Sequence, residues 1–113
     1  MEQLTTTQDV VFISNMKATP LIRRRVVLAA DAFAEIAVWR VPDPSPPSEH
    51  PFKYRLAYVV QGECVLRYDN ERGKGDHRHV GADESNHVFY SPEQLMQDFN
   101  ADIVRWNHAN RRS

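Results

Sequence analysis

With 113 residues, 42% of them hydrophobic and 26% charged, the chain is sized for one domain around one core, and its composition is that of a globular protein, far from a disordered one. The formal net charge of -1 supplies no global pull toward nucleic acid, but Arg23, Arg24 and Arg25 are consecutive and leave room for a local basic face. No apolar run approaches the roughly 18 residues of a membrane span, and MEQLTTTQDV lacks the basic-then-apolar order of a secretory signal. A cytoplasmic protein with no membrane partner is therefore expected. The lone Cys64, set between apolar strand positions, reads as a small core residue in a reducing compartment.

Residues 1–20 read as an arm or an extra edge strand built on the run Val10 to Ile13, and Met16 would serve as a start codon for a shorter protein. From Leu21 the pattern has period two, with Ile22, Val26 and Leu28 on one side and Arg23, Arg25 and Val27 on the other, predicting a half-buried strand. A turn at Ala30-Asp31 leads to a second strand, Phe33 to Val41, apolar on both sides and so central. Pro42, Pro44, Pro46 and Pro47 then fall within six residues, which makes this stretch a stiff extended connector, since proline cannot donate to a ladder. Phe52, Tyr54, Leu56, Tyr58 and Val60 alternate with Lys53, Arg55, Ala57 and Val59, a third strand. Gln61-Gly62 is a two-residue hairpin turn, and Cys64 to Tyr68 returns antiparallel. That register is expected to bring Arg67 near Lys53 or Arg55 on a common surface.

Ser91-Pro92-Glu93-Gln94 opens a helix with an N-cap, a proline in the first turn, an acid for the dipole and a capping-box glutamine. Tyr90 is placed to staple onto Leu95. Leu95, Phe99, Ile103 and Trp106 form one apolar stripe, while Arg105, His108, Arg111 and Arg112 lie at the negative end of the dipole. The expected fold is α+β: an antiparallel four-stranded β-meander, five-stranded if the N-terminal run joins it, packed against one C-terminal α-helix.

The densest chemistry lies in Arg67 to Val80, RYDNERGKGDHRHV, read as a strand running out into a loop made pliable by Gly73 and Gly75. As a metal site, His77 and His79 two apart on an extended segment point to one side and Asp76 joins them, yet the third and fourth well-spaced ligands of zinc patterns are missing. Metal-free cleavage of RNA fits better. The ribose hydroxyl is the nucleophile, so the protein needs only an acid, a base and cations. His77 and His79 would share proton transfer, Asp76 or Asp69 would orient an imidazole, and Arg72, Lys74 and Arg78 would hold the phosphate. Lys53, Tyr54, Arg55 and Arg67 complete the expected RNA-binding set. Gly73-Lys74-Gly75 is not a P-loop, because the upstream glycine spacing and the following Ser or Thr are absent. No cofactor is called for. The bland alternative is a solvated hairpin loop of balanced charge, with His50, His87 and His108 as surface histidines. A third is a non-catalytic module that docks a protein or nucleic acid on the basic strand face.

At these residues the chain resembles the TumE-type toxins of bacterial type II toxin–antitoxin systems. The resemblance rests on Trp39-Arg40-Val41-Pro42, Lys53-Tyr54-Arg55-Leu56-Ala57-Tyr58, the segment YDNERGKGDHRH, and Ser91 to Leu95, and runs from about Ala18 to Arg105. It implies a small growth-inhibiting toxin paired with an antitoxin, commonly a helix-turn-helix protein. Ribonuclease action follows only by analogy with small meander-plus-helix toxins. A homodimer stays open, as do the RNA target and the division of acid and base between the histidines.

Overall fold

A computed structural model describes residues 18–44 and 46–112; the expected N-terminal arm or strand and the Met16 start lie outside these residues up to position 17. Alternating side chains build β1 (Thr19–Ala29), β2 (Ala32–Arg40), β3 (Phe52–Val60), β4 (Glu63–Glu71), β5 (Gly75–Val80) and β6 (Asp83–Asn86), followed by α1 (Pro92–Ala109). The sheet is an antiparallel meander in chain order, β1-β2-β3-β4-β5-β6. Among the described residues it has six strands rather than the expected four or five. The difference lies in Arg67 to Val80, which is no loop: β4 continues to Glu71, turns at Arg72-Gly73-Lys74, and returns as β5.

Because side chains alternate across a strand, the register sorts them into two faces. Ala34, Ile36 and Val38 of β2, Tyr54, Leu56 and Tyr58 of β3, and Leu66 and Tyr68 of β4 are buried together with Leu95, Phe99 and Ile103 of α1. This is the helix face and holds the core. The helix stripe falls as the sequence predicts, with Trp106 partly buried beside it. Burying the six largest apolar members of such a cluster contributes about 10–15 kcal/mol of gross transfer energy, before conformational entropy is subtracted.

The cap is Ser91, whose Oγ accepts from Gln94 N at 3.0 Å. The Gln94 side chain does not close the capping box but donates forward to Asp98 Oδ1 at 2.8 Å. Tyr90 is 76% exposed and does not serve as a buried staple. Cys64, expected in the core, is exposed. The Gln61-Gly62 turn has positive φ at both residues, 52° and 80°, the mirror-image turn that matches strand twist. A register irregularity between Tyr58 and Val59 sets Arg67 opposite Ala57 and Arg55 opposite Asp69, so Arg67 lies diagonal to Arg55 on the same face.

Candidate functional site

The face away from α1 collects Lys53, Arg55 and Ala57 of β3, Arg67 and Asp69 of β4, His77 and His79 of β5, and Glu84 and Asn86 of β6. Across it run the pairs Ala57↔Arg67, Arg67↔His79 and His79↔Glu84. Beside them lie Arg55↔Asp69, Asp69↔His77 and His77↔Asn86. His77 and His79 therefore share one side of β5, with ring centroids 6.5 Å apart.

Glu84 is the hub. Its Oε2 lies 2.9 Å from His77 Nδ1, 3.5 Å from His79 Nε2 and 3.4 Å from Lys74 Nζ. Partial burial pushes this carboxyl up, and the charges of Lys74, His79 and His77 more than offset it, holding it below the usual glutamate range. Glu84 escaped the sequence reading because Asp83-Glu84-Ser85-Asn86 is exposed throughout and carries no apolar alternation. The signal that could have found it is the turn at Gly81-Ala82, which reflects β5 onto a partner strand and sets position 84 against His79.

The two rings differ in what their Nε2 atoms meet. His77 Nε2 lies 2.5 Å from the carbonyl oxygen of Lys74; a carbonyl only accepts, so Nε2 carries a proton. His79 Nε2 lies 3.1 Å from Arg67 Nη2, which only donates, and 3.5 Å from Glu84 Oε2, which only accepts, so it stands between a donor and an acceptor. Arg67 also sits 3.2 Å from Asp69 Oδ2. The two Nε2 atoms thus meet different partners, a carbonyl at His77 and a guanidinium with a carboxylate at His79. An open cleft of about 390 Å³ lined by Lys74, His77, Glu84, Ser85 and Asn86 adjoins the pair.

Lys53, Arg55 and Arg72 belong to the same side. Lys53 Nζ donates to the Asn70 carbonyl, and burial draws its ammonium below the usual lysine range against the charges of Glu71 and Asp69. Arg55 is exposed on β3 and Arg72 at the hairpin tip.

Three expected site residues face the other way. Asp76, expected to orient an imidazole of the pair, accepts instead from Tyr54 Oη at 2.8 Å, His50 Nε2 at 2.8 Å and Ser48 Oγ at 3.2 Å. Tyr54, expected among RNA contacts, is 1% exposed, and burial together with the Asp76 carboxylate raises its phenol far above the usual range. Arg78 Nε and Nη2 grip Asp102 at 2.6 and 2.9 Å. The physical reason is the strand period: on an extended segment Asp76 and Arg78 must point opposite to His77 and His79.

His50 and His87 were expected as surface residues without a role, and both are engaged. The Phe52 N–H donates to His50 Nδ1 at 3.2 Å while Nε2 serves Asp76, so both nitrogens are used and the ring stacks on Phe89 at 3.8 Å. His87 Nε2 lies 3.2 Å from Asp98 Oδ2 and its ring meets Tyr68 edge-on. The Ser48–His50–Asp76 cluster ties the proline-rich connector to the β4–β5 hairpin. Pro46 O accepts from Gly73 N at 2.6 Å, and Pro47 Cγ would lie 3.0 Å from a Cβ built on Gly75. Among the described residues no three His, Cys, Asp or Glu side chains are placed to hold a metal ion, and no helix is long and apolar enough to cross a membrane.

A six-stranded antiparallel sheet backed on one side by a terminal helix, with a histidine–carboxylate–cation cluster on the bare side, defines a small α+β protein that keeps its titratable chemistry on an open sheet face. The family model described as Toxin TumE matches residues 2–107, and the chain belongs to that family. The match starts well before the Ala18 at which the sequence resemblance begins, so most of the N-terminal segment falls within the family's span. No curated protein and no solved structure matches the chain.

Proposed function

We propose that this member of the toxin family inhibits growth by cutting RNA without a metal, using the open face of β4, β5 and β6. The observation that carries the reading is that two imidazoles on one side of β5 meet opposite partners at Nε2: that of His77 faces the acceptor Lys74 O, and that of His79 faces the donor Arg67. Cleavage requires an acid and a base. His79 accepts the proton of the ribose 2′-hydroxyl once Arg67 turns from the ring to a phosphate oxygen. The hydroxyl oxygen bonds to phosphorus, the bond to the 5′-oxygen breaks, and His77, entering as an imidazolium with its second proton at Nδ1 toward Glu84, gives its Nε2 proton to that leaving oxygen and is left as a neutral ring. Glu84 holds His77 from the Nδ1 side, and Lys74, Arg67 and Arg55 offset the charge gathering on the phosphate. Arg72 stands at the tip as an approach contact, and Asp76 acts behind the hairpin by fixing the connector to β5. The partner is an antitoxin, of helix-turn-helix type by family analogy, and the setting is the cytoplasm.

The test is induced expression and cleavage of labelled single-stranded RNA by purified variants. His77→Gln and His79→Gln should each slow cleavage by about 10²- to 10⁴-fold and relieve growth inhibition, with chelator making no difference. The pH profile separates the roles: the wild-type curve is bell-shaped, His79→Gln removes its acidic limb and His77→Gln its alkaline limb. If both variants remain fully active, the assignment fails.

One observation favours a second reading. Lys74 O and Arg67 already occupy the Nε2 atoms of both rings, which suits a rigid docking face that binds without turnover. RNA left whole by a protein that still binds it, with and without chelator, would select that reading.

A further inference from the structure

Among the described residues, β1 ends the sheet on one side and β6 on the other, and the two edges are built differently. An edge strand presents a row of unpaired N–H and C=O groups, and proteins blunt such edges by shortening them or charging them. β6 is blunted in both ways, being four residues long with Asp83 and Glu84 in it. β1 is 11 residues long. Its register with β2 is irregular at Pro20/Ile22 and again at Val27/Ala29, which leaves the regular stretch from Ile22 to Val27 between them. Leu21, Val27 and Leu28 along this edge are 48%, 72% and 49% exposed, so half of the exposed large apolar side chains among the described residues, which also include Val88, Tyr90 and Val104, sit on one strand. Ile22 and Val26 are only partly covered by the core.

The side-chain bonds of α1 explain that exposure. They reach Tyr58 of β3 through Asn107, Tyr68 of β4 through Asp102 and Arg78 of β5 through Asp102. The helix thus lies over the middle and far side of the sheet, and its tie toward the β1 end is at the turn, where Arg112 meets Asp31. The longest described strand, with three exposed large apolar side chains, lies outside that cover.

The geometry points to the β1 edge as a docking site for an extended segment of a protein partner, acidic and apolar by turns, that adds a seventh strand beside Ile22 to Val27. Main-chain hydrogen bonds along the edge give affinity and alternate side chains give selection. The register dictates the chemistry of the added strand. Arg23 and Arg25 point to the open face and Arg24 to the helix face, so cations flank the edge on both sides. Arg25 is partly neutralised by Glu35 at 2.8 Å; Arg24 has no such carboxylate across from it, its neighbour on β2 being Ile36. Acidic residues at matching positions would be favoured cross-strand partners, and apolar ones would cover Val26, Val27 and Leu28. A second copy of the chain pairing antiparallel through the centre of this edge would set three arginines against three arginines, an arrangement opposed by like-charge repulsion. The site is remote from β5 and does not depend on ribonuclease action.

The experiment uses the full chain and an acetylated, amidated synthetic peptide of alternating aspartate and valine, with a lysine–valine peptide as its counterpart. In the isolated protein, outward-pointing amides of residues 22–27 should exchange with solvent rapidly, and the acidic peptide should slow them while leaving β6 unchanged. Arg24→Glu should weaken the acidic peptide about tenfold and strengthen the lysine peptide by a similar factor, a reversal worth about 1.4 kcal/mol each way. Val27→Lys, on the solvent side of the strand, gives a second disruption with little effect on the core; both variants are checked for an unchanged thermal transition. Slow exchange of these amides in the isolated monomer would mean the chain covers its own edge, and slow exchange that vanishes on dilution would mean a second copy does. Either result, or equal binding of the acidic and basic peptides, overturns the proposal.

Discussion

Asp102 is 2% exposed and still bears a charge. Burial pushes its carboxyl up, and hydrogen bonds from Arg78, Tyr68 and Arg105 more than offset that, bringing it down to about 2. The folded value lies below the unfolded one, so the stabilisation is present above the unfolded value, near pH 4, and is lost as the pH falls through the folded value. That window contributes about 2 kcal/mol. Urea titrations between pH 5 and 2 should show stability falling toward acid, and Asp102→Asn should flatten this slope while lowering stability at pH 7 by about 2–3 kcal/mol. An unchanged slope would mean that another carboxylate governs acid unfolding. Asp76 makes the companion case, since its oxygens satisfy Tyr54, His50 and Ser48 at once. Tyr54→Phe should cost about 1 kcal/mol by removing one donor, whereas Asp76→Ala leaves all three partners without that acceptor and should cost about 3 kcal/mol. Equal losses would show that water takes over the vacated role.

Among the elements, the β4–β5 hairpin depends most on its neighbour. Gly75 has φ +81° and a Cβ there would meet Pro47 Cγ at 3.0 Å, while Gly73, with φ +88°, has nothing within 4 Å of the same position. Both alanine variants incur left-handed strain of about 1–2 kcal/mol, but only Gly75→Ala also has to push the connector away. It should be the more destabilising of the two in a urea titration, and it should loosen the turn whose Lys74 carbonyl meets His77 Nε2. Ser91→Ala tests the helix separately, at about 1 kcal/mol for the lost cap. These elements differ in how plainly the sequence announces them. The Phe52 to Val60 alternation, the Gln61-Gly62 turn and the Ser91 cap are local patterns, and the structure keeps them. β5 is polar on both faces because each face is a network of charges, so hydrophobic period counting passes over it even though the spacing of His77 and His79 already implied a strand. Reading it as one would have separated Asp76 and Arg78 from the histidines. The bonds of Asp76 to Ser48 and of Arg78 to Asp102 span 28 and 24 residues and have no local signature at all.

At the scale of the whole molecule the sheet divides cations by face, and the division can be read in salt dependence. Arg55 stands exposed on the bare face, whereas Arg78, on the helix side, is committed to Asp102 by two bonds, which raise its guanidinium further above its ordinary value. A cation that meets RNA phosphate releases a counterion, and each such contact adds about 0.7 to the slope of log affinity against log salt for a single strand. Arg55→Gln should therefore weaken binding of a labelled single-stranded RNA and flatten that slope by about 0.7. Arg78→Gln should lower the thermal transition, because Asp102 loses its bidentate partner, yet leave the slope unchanged under conditions where the variant is folded. Anisotropy titrations across a salt series check both arms. A slope that flattens as much for Arg78→Gln as for Arg55→Gln would place the RNA on the helix side, against the division of faces on which the ribonuclease reading depends.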